Sequence, residues 1–308
     1  MTESETKPTI GAVMVLYAPD LDVTDKAIEA ILPQVDLLCI VDNTPGADLS
    51  ARFDGNPRIH YIAMSANLGI SAAQNRGSRW LLDRDVDFLV YTDQDSEARP
   101  DTIALLMKGY NILTDAGVKV GLTGTLPVNR ETGEPYRLSA RRIDSPDDLR
   151  RIPGAEGISE YYSAISSISL IPRRAMLDNG GFDESLFIDG VDHEWCWRAW
   201  HTHAYRTFIV EDAVIDHSLG QGDRHLAARQ VHIASADRVY YQFRNYLWLK
   251  RLEYTPAYWI KKNGLKYAVK FFYFPIMVSP RGKYLKNILR GIRDGLRRRH
   301  PDGSFPRF

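Results

Sequence analysis

Short apolar runs at residues 10–17, 37–41, 59–63, 88–92 and 118–122 punctuate the first part of the chain, with helical patterns at 23–32, 69–82 and 101–115. Runs of this length with no polar alternation are what strands buried on both faces look like. Strands returning through helices of 10–15 residues form parallel pairs, because a parallel partner needs a long crossover. The expectation is an α/β fold: a Rossmann-like, mostly parallel sheet flanked by helices.

The run at 88–92 leads directly into Asp93-Gln94-Asp95-Ser96. Open α/β sheets bind their ligands beyond the carboxyl ends of their strands. Two carboxylates held there suit a divalent cation shared with a phosphate, since Mg²⁺ and Mn²⁺ favour hard oxygen ligands. The same spacing recurs at Asp20/Asp22, Asp83/Asp85 and Asp85/Asp87, but in polar, turn-like sequence. Context singles out Asp93/Asp95.

Beyond Gly124 the pattern loosens. Residues 126–157 read as a charged excursion with a short strand near 136–138. Order returns with a strand at 166–171, a helix at 173–179 stopped by Gly180-Gly181, a helix at 191–200 and a strand at 205–210. From about Asp223 onward the sequence reads as helical, with breaks at Pro256, Pro275 and Pro280. The expected division is a catalytic domain over residues 1–225 and a helical, basic and aromatic C-terminal extension over 226–308.

The net charge of zero conceals an asymmetry: residues 261–308 hold thirteen Lys and Arg against Asp294 and Asp302. Trp248, Tyr254, Tyr258, Trp259 and residues 271–274 interleave aromatic rings with these cations, the composition of a helix drawn to an anionic membrane surface. An ordinary helical subdomain with a basic outer face has the same composition. The apolar stretch at 271–278 is too short to span a bilayer. No nucleic-acid-binding module is present. The polar first residues lack the apolar core of a signal peptide, and Cys39 and Cys196 make no disulfide framework; a reducing cytoplasm is the expected location.

Several segments fit one template. Val41-Asp42-Asn43, Asn67-Leu68-Gly69-Ile70 with Asn75 downstream, Thr92-Asp93-Gln94-Asp95 and Gly181-Phe182-Asp183-Glu184 occur in this order. They lead into Phe187-Ile188-Asp189-Gly190-Val191-Asp192-His193-Glu194 and on to Arg198. Together they resemble the family 2 glycosyltransferases, and within them the bacterial rhamnosyltransferases, from Ile10 to about Asn245. The resemblance implies the GT-A fold and an inverting single displacement. It implies that Asp95 touches the metal, that Asp93 lies nearer the ribose or a metal-bound water, and that Asp42, assisted by Asn43, meets the pyrimidine. Asn67, Gly69 and Asn75 would flank the nucleotide, His217 complete the metal site and Arg244 meet the diphosphate. Asp192 falls where the catalytic base lies, with Glu194 as reserve or orienting acid; Val191 departs from the commoner paired acid.

Plainer readings stand beside these. Residues 42–46 are also a turn-rich sequence, and Asn67 is also an N-cap before a packed helix. The acids of 189–194 also suit a helix N-terminus, a lone His217 also suits a structural role, and Arg244 also suits a helix surface. The expected activity is transfer of L-rhamnose from dTDP-L-rhamnose to a hydroxyl of a lipid-linked or cell-surface glycan, at the inner face of the cytoplasmic membrane. Alternatives are the same mechanism with a UDP-hexose, or a haloacid-dehalogenase-type phosphatase with Asp93 as nucleophile.

Overall fold

The strands follow from burial on both faces. In a strand, successive side chains alternate sides, and here both sides are apolar. Cys39, Val41, Leu89 and Tyr91 enter one core with Leu81, Trp195 and Trp197. Met14, Ile40 and Val90 enter a second with Ile28, Ile31, Ile103 and Leu106. The computed structural model describes residues 7–129, 132–136, 138–144, 149–217, 223–226, 229–232, 234–297, 300–301 and 305–308; the side chains of 216, 217, 223–226 and 229–232 lie outside that description.

In chain order the elements are β1 (Ile10–Leu16), α1 (Leu21–Ile31), β2 (Leu37–Asp42), α2 (Ser50–Phe53), β3 (Ile59–Ala63), α3 (Ile70–Leu82), β4 (Phe88–Asp93), β5 (Glu97–Ala98), α4 (Thr102–Asp115) and β6 (Val120–Asn129). There follow β7 (Ile158–Tyr161), β8 (Ser169–Pro172), α5 (Arg173–Asn179), α6 (Val191–His203), β9 (Arg206–His217), β10 (Asp223–Leu226), β11 (Arg229–His232), α7 (Ala236–Leu249), α8 (Ala257–Met277) and α9 (Arg281–Arg297).

The main sheet runs β3-β2-β1-β4-β8-β6-β9-β5, with β7 on β9. β3, β2, β1 and β4 are parallel throughout. The chain leaves β1 to one side for β2 and β3 and returns to its other side for β4, which makes the β1/β4 end a switch point where a ligand crevice opens. Gly77 lets α3 close onto β1: a Cβ there would lie 2.6 Å from Val13 Cγ1.

Two details differ from the sequence reading. Residues 223–226 and 229–232 pair as antiparallel strands, β10 and β11, and helix resumes only at α7, where the Ser235 side chain accepts from the Arg238 amide. Residue 137 of the expected strand near 136–138 lies outside the described residues; just before it, Pro135 bridges to Val128. Pro275 does not break α8; it sits in the last turn, where its missing N–H costs one bond and little helix follows. Helices α7, α8 and α9 share a core of Val239, Phe243, Phe274, Tyr284 and Ile288. Trp248, Leu249 and Trp259 pack into the sheet's own core. No helix among the described residues is long and apolar enough to cross a membrane.

Candidate active site

Register places the acids. Leu16 pairs with Asp42 and Val15 with Asp93, so both carboxylates lie at the same carboxyl edge, on either side of β1. Gln94 ties β4 to the end of β1: its Oε1 accepts from the Tyr17 amide at 2.8 Å. Asp93 is half-buried and accepts from the Ser167 hydroxyl. Asp95 is exposed, with no side-chain hydrogen bond among the described residues.

Asp42 is fully buried. One oxygen accepts from the Thr44 amide at 2.9 Å and the other from the Tyr61 hydroxyl at 2.9 Å, leaving further lone pairs. Asn43 accepts from the Leu68 amide at 2.9 Å and donates to Asn67 Oδ1 at 2.9 Å, which also accepts from the Gly69 amide at 3.0 Å. These side chains stitch the exit of β2 to the start of α3. Gly69 has φ +90°, and a Cβ there would lie 2.5 Å from the Phe187 carbonyl oxygen. That carbonyl accepts from the Ile70 amide at 2.8 Å. Thus the start of α3 holds the turn that delivers the second acidic cluster.

Asp192 stands in the first turn of α6 and is half-buried. The Ser166 amide and hydroxyl both donate to it. Burial first, and then the negative charge of Asp93, push its pKa up to about 7. The two ends of this pair come from different segments, the exit of β4 and the start of α6. A carboxylate balanced near neutrality suits general base work.

Three expected site residues are engaged elsewhere. Asn75 donates to the Phe182 carbonyl and accepts from the Phe182 amide, both at 2.8 Å, so it clamps the Gly181-Phe182-Asp183 segment. Glu194 is fully buried in an ion pair with Arg198 at 2.7 Å and accepts from the Tyr254 hydroxyl at 2.9 Å. Arg198 also donates to Gly181 O at 2.7 Å. Glu194 therefore anchors α6 from behind, a role the i,i+4 spacing to Arg198 signals in the sequence. Arg244 donates to Ser185 O at 2.6 Å and Leu186 O at 3.1 Å, holding backbone.

The turn before α6 is gripped from α7. Asn245 Nδ2 donates to Leu186 O, Ile188 O and Asp189 O at 2.8, 2.7 and 3.0 Å. Arg238 forms a two-point pair with Asp189 at 3.0 and 2.9 Å, and Tyr241 stacks on Phe187. Phe187 and Asp189 both have φ +66°, a backbone that such fixing sustains. Sequence reasoning passed over Ser166 and Ser167; a run rich in serine from 163 to 169 is their one visible trace. His217 ends β9, paired in register with Asn129, and its side chain lies outside the described residues. Among the described residues no three His, Cys, Asp or Glu side chains gather into a metal-holding group.

A family model described as glycosyl transferase family 2 matches residues 13–166. The chain belongs to this family. The glycosyltransferase is 28% identical over 249 residues to the dTDP-rhamnosyl transferase RfbF of Shigella flexneri, covering 80% of this chain and 81% of that one. Solved structures share its fold, which is GT-A. A GalNAc-T7 structure with UDP, GalNAc and Mn²⁺ superposes with TM-score 0.55 at 14% identity, over 90% of this chain and 58% of that one. TarS of S. aureus, residues 1–349, gives TM-score 0.54 at 11% identity, over 94% and 81%. The enzyme is therefore rhamnosyltransferase-like, on a fold that places the Asp-x-Asp pair after the fourth strand.

Proposed function

We propose that this glycosyltransferase moves L-rhamnose from dTDP-L-rhamnose to a hydroxyl of a glycan acceptor, with inversion, in one displacement. The observation that carries the mechanism is the placing of Asp192 at the start of α6, held by Ser166 and facing the charge of Asp93; burial first, and then that charge, lift it to about 7. The acceptor hydroxyl gives its proton to Asp192, oriented by Ser166, as its oxygen attacks the anomeric carbon. The bond to the nucleoside diphosphate breaks on the opposite face. Likeness to RfbF supports the rhamnosyl donor.

Asp93 and the exposed Asp95 offer hard oxygen donors that fit Mg²⁺ or Mn²⁺, with positions left for phosphate oxygens. His217 is the third candidate ligand. A bound cation supplies neutralisation of the charge that builds on the leaving diphosphate. Asp42, Asn43, Asn67 and Gly69 form the wall we assign to the nucleoside; Asn75, Glu194 and Arg244 act by positioning.

Membrane attachment rests on α8. Leu265, Val269, Phe272 and Ile276 follow one another along one helical face and are 58–71% exposed. Lys261, Arg281, Lys283 and Lys286 are exposed nearby. An apolar stripe edged by cations suits the inner face of the cytoplasmic membrane, and a lipid-carried acceptor would meet the enzyme there.

A thermal-shift series with dTDP-rhamnose, UDP-glucose, UDP-galactose and GDP-mannose, each with Mg²⁺, Mn²⁺ or EDTA, tests the donor. A ligand at a hundredfold over its Kd stabilises by roughly 2.7 kcal/mol. Metal-dependent stabilisation by dTDP-rhamnose alone is expected. Stabilisation by a UDP-hexose instead overturns the donor and keeps the mechanism. The phosphatase alternative gives way to the family match and to the three strands that precede the Asp-x-Asp pair.

A further inference from the structure

A cavity of about 170 Å³ opens between the start of α6, α7 and α8, lined by Asp189, His193, Gln242, Lys262 and Lys266 among others. Asp189 and His193 lie three residues before and one after the base Asp192. One wall of the cavity is thus the turn that carries the catalytic carboxylate.

The charge around this cavity does not balance. Lys262, Lys266 and Lys270 succeed one another at i,i+4 along α8, on one face. Lys270 reaches the lining residue Gln242 at 2.7 Å, and Lys262 donates to the Ser139 carbonyl at 3.0 Å. Lys266 makes no side-chain hydrogen bond among the described residues. Asp189, the acid in the lining, is already held by Arg238 at two points. None of the three lysines pairs with a carboxylate among the described residues.

Neighbouring groups register the surplus. Burial and the charge of Lys266 bring Lys270 down to about 8. Burial, then Lys266 and Lys262, hold the His193 imidazole down to about 4, so it is neutral at pH 7. It rests on the Ser163 hydroxyl at 2.7 Å and lies parallel to Trp197. A cavity edged by three ammonium groups, none of them paired with a carboxylate among the described residues, suits an anion, and ammonium groups bind phosphate as compact point charges.

We infer that this cavity is an acceptor subsite that takes the phosphate or diphosphate linking the acceptor glycan to its carrier. The inference rests on the transferase reading above. With that phosphate on Lys262, Lys266 and Lys270, the first sugars of the acceptor lie toward Asp192. The anchor makes the reaction close to intramolecular, which is where positioning gains its rate. It also makes a neutral free sugar a poor acceptor.

The test is calorimetric titration of the full chain with farnesyl diphosphate, inorganic phosphate and phosphatidylglycerol vesicles. The proteins are the wild type, the double variant Lys266→Ala/Lys270→Ala and the single variant Lys266→Arg. Farnesyl diphosphate should bind the wild type and Lys266→Arg alike, and the double variant at least tenfold more weakly. The dTDP-rhamnose thermal shift should be equal in all three. Unchanged affinity for farnesyl diphosphate in the double variant overturns the proposal. So does a parallel loss of dTDP-rhamnose binding, which would give these cations to the donor. Inorganic phosphate binding as tightly as farnesyl diphosphate would make this a free-phosphate site, and loss of vesicle binding alone would make it a headgroup site; either also overturns it. If the wild type fails to respond to dTDP-rhamnose, the donor assignment falls, while the diphosphate titration still decides this one.

Discussion

A carboxylic acid near pH 7 has consequences in two directions. As a base Asp192 must be deprotonated, so kcat/KM should rise with pH up to about 7 and then level. A cation on Asp93 removes the part of the lift that comes from its charge and leaves the part due to burial, so the limb measured in kcat at saturating metal should lie lower. Asp192→Asn should lower kcat by roughly 10³-fold and abolish the limb, with the dTDP-rhamnose thermal shift retained. For stability the sign is the reverse of a salt-bridged acid. The folded pKa lies above the unfolded one, so the group favours folding at low pH and that contribution is lost as pH rises through 7. Asp192→Asn should therefore be more stable than the wild type by roughly 1–3 kcal/mol at pH 8, with the gain shrinking as pH falls below 7 and gone only below about 4, where the unfolded carboxyl is protonated as well; urea unfolding at pH 8, 5 and 3.5 checks this. At this scale the sequence was readable where a side chain's position follows from its own strand or turn, as for Asp93 at the end of β4. It was opaque for Ser166 and Ser167, whose partners Asp192 and Asp93 lie far off along the chain. Asn75, Glu194 and Arg244 show the opposite problem: polar residues in family motifs that are fastened to backbone or to a buried partner.

Between elements, the start of α3 and the start of α6 are locked through Gly69. A side chain there meets the Phe187 carbonyl and needs a φ that L-residues avoid. Gly69→Ala should cost roughly 2–4 kcal/mol in denaturant unfolding, with activity lost beyond what stability explains. Glu194→Ala leaves Arg198 buried without its counter-charge and should cost roughly 3–5 kcal/mol. Far-ultraviolet circular dichroism during the melt will show whether α6 goes with it. The parallel half of the sheet was legible because apolar runs and helical returns are local signals. β5 and β7 escaped notice because short strands paired to β9 across the chain carry little pattern of their own. The antiparallel pair β10 and β11 falls where the sequence reads as helix, for want of a marked helix start before Ser235.

Taken whole, the molecule separates its charge: the acidic catalytic edge lies on the sheet and the surplus cations on α8 and α9. Co-sedimentation with phosphatidylglycerol vesicles should show binding that weakens with salt. Phosphatidylcholine vesicles should bind less. Leu265→Ser/Phe272→Ser should weaken binding more than tenfold without unfolding the protein, since both side chains already face solvent and each is worth roughly 1.5–3 kcal/mol when buried in an apolar phase.

The grip of Asn245 and Arg238 on the turn at 186–189 also sets an order in time. At roughly 5–20 residues per second, Asn245 leaves the ribosome several seconds after Asp192. Until it does, the three carbonyls it ties down have no donor from α7, and the base has no fixed address. The glycosyltransferase comes off the ribosome sheet first and catalyst last, completed only as the basic C-terminal helices begin to emerge.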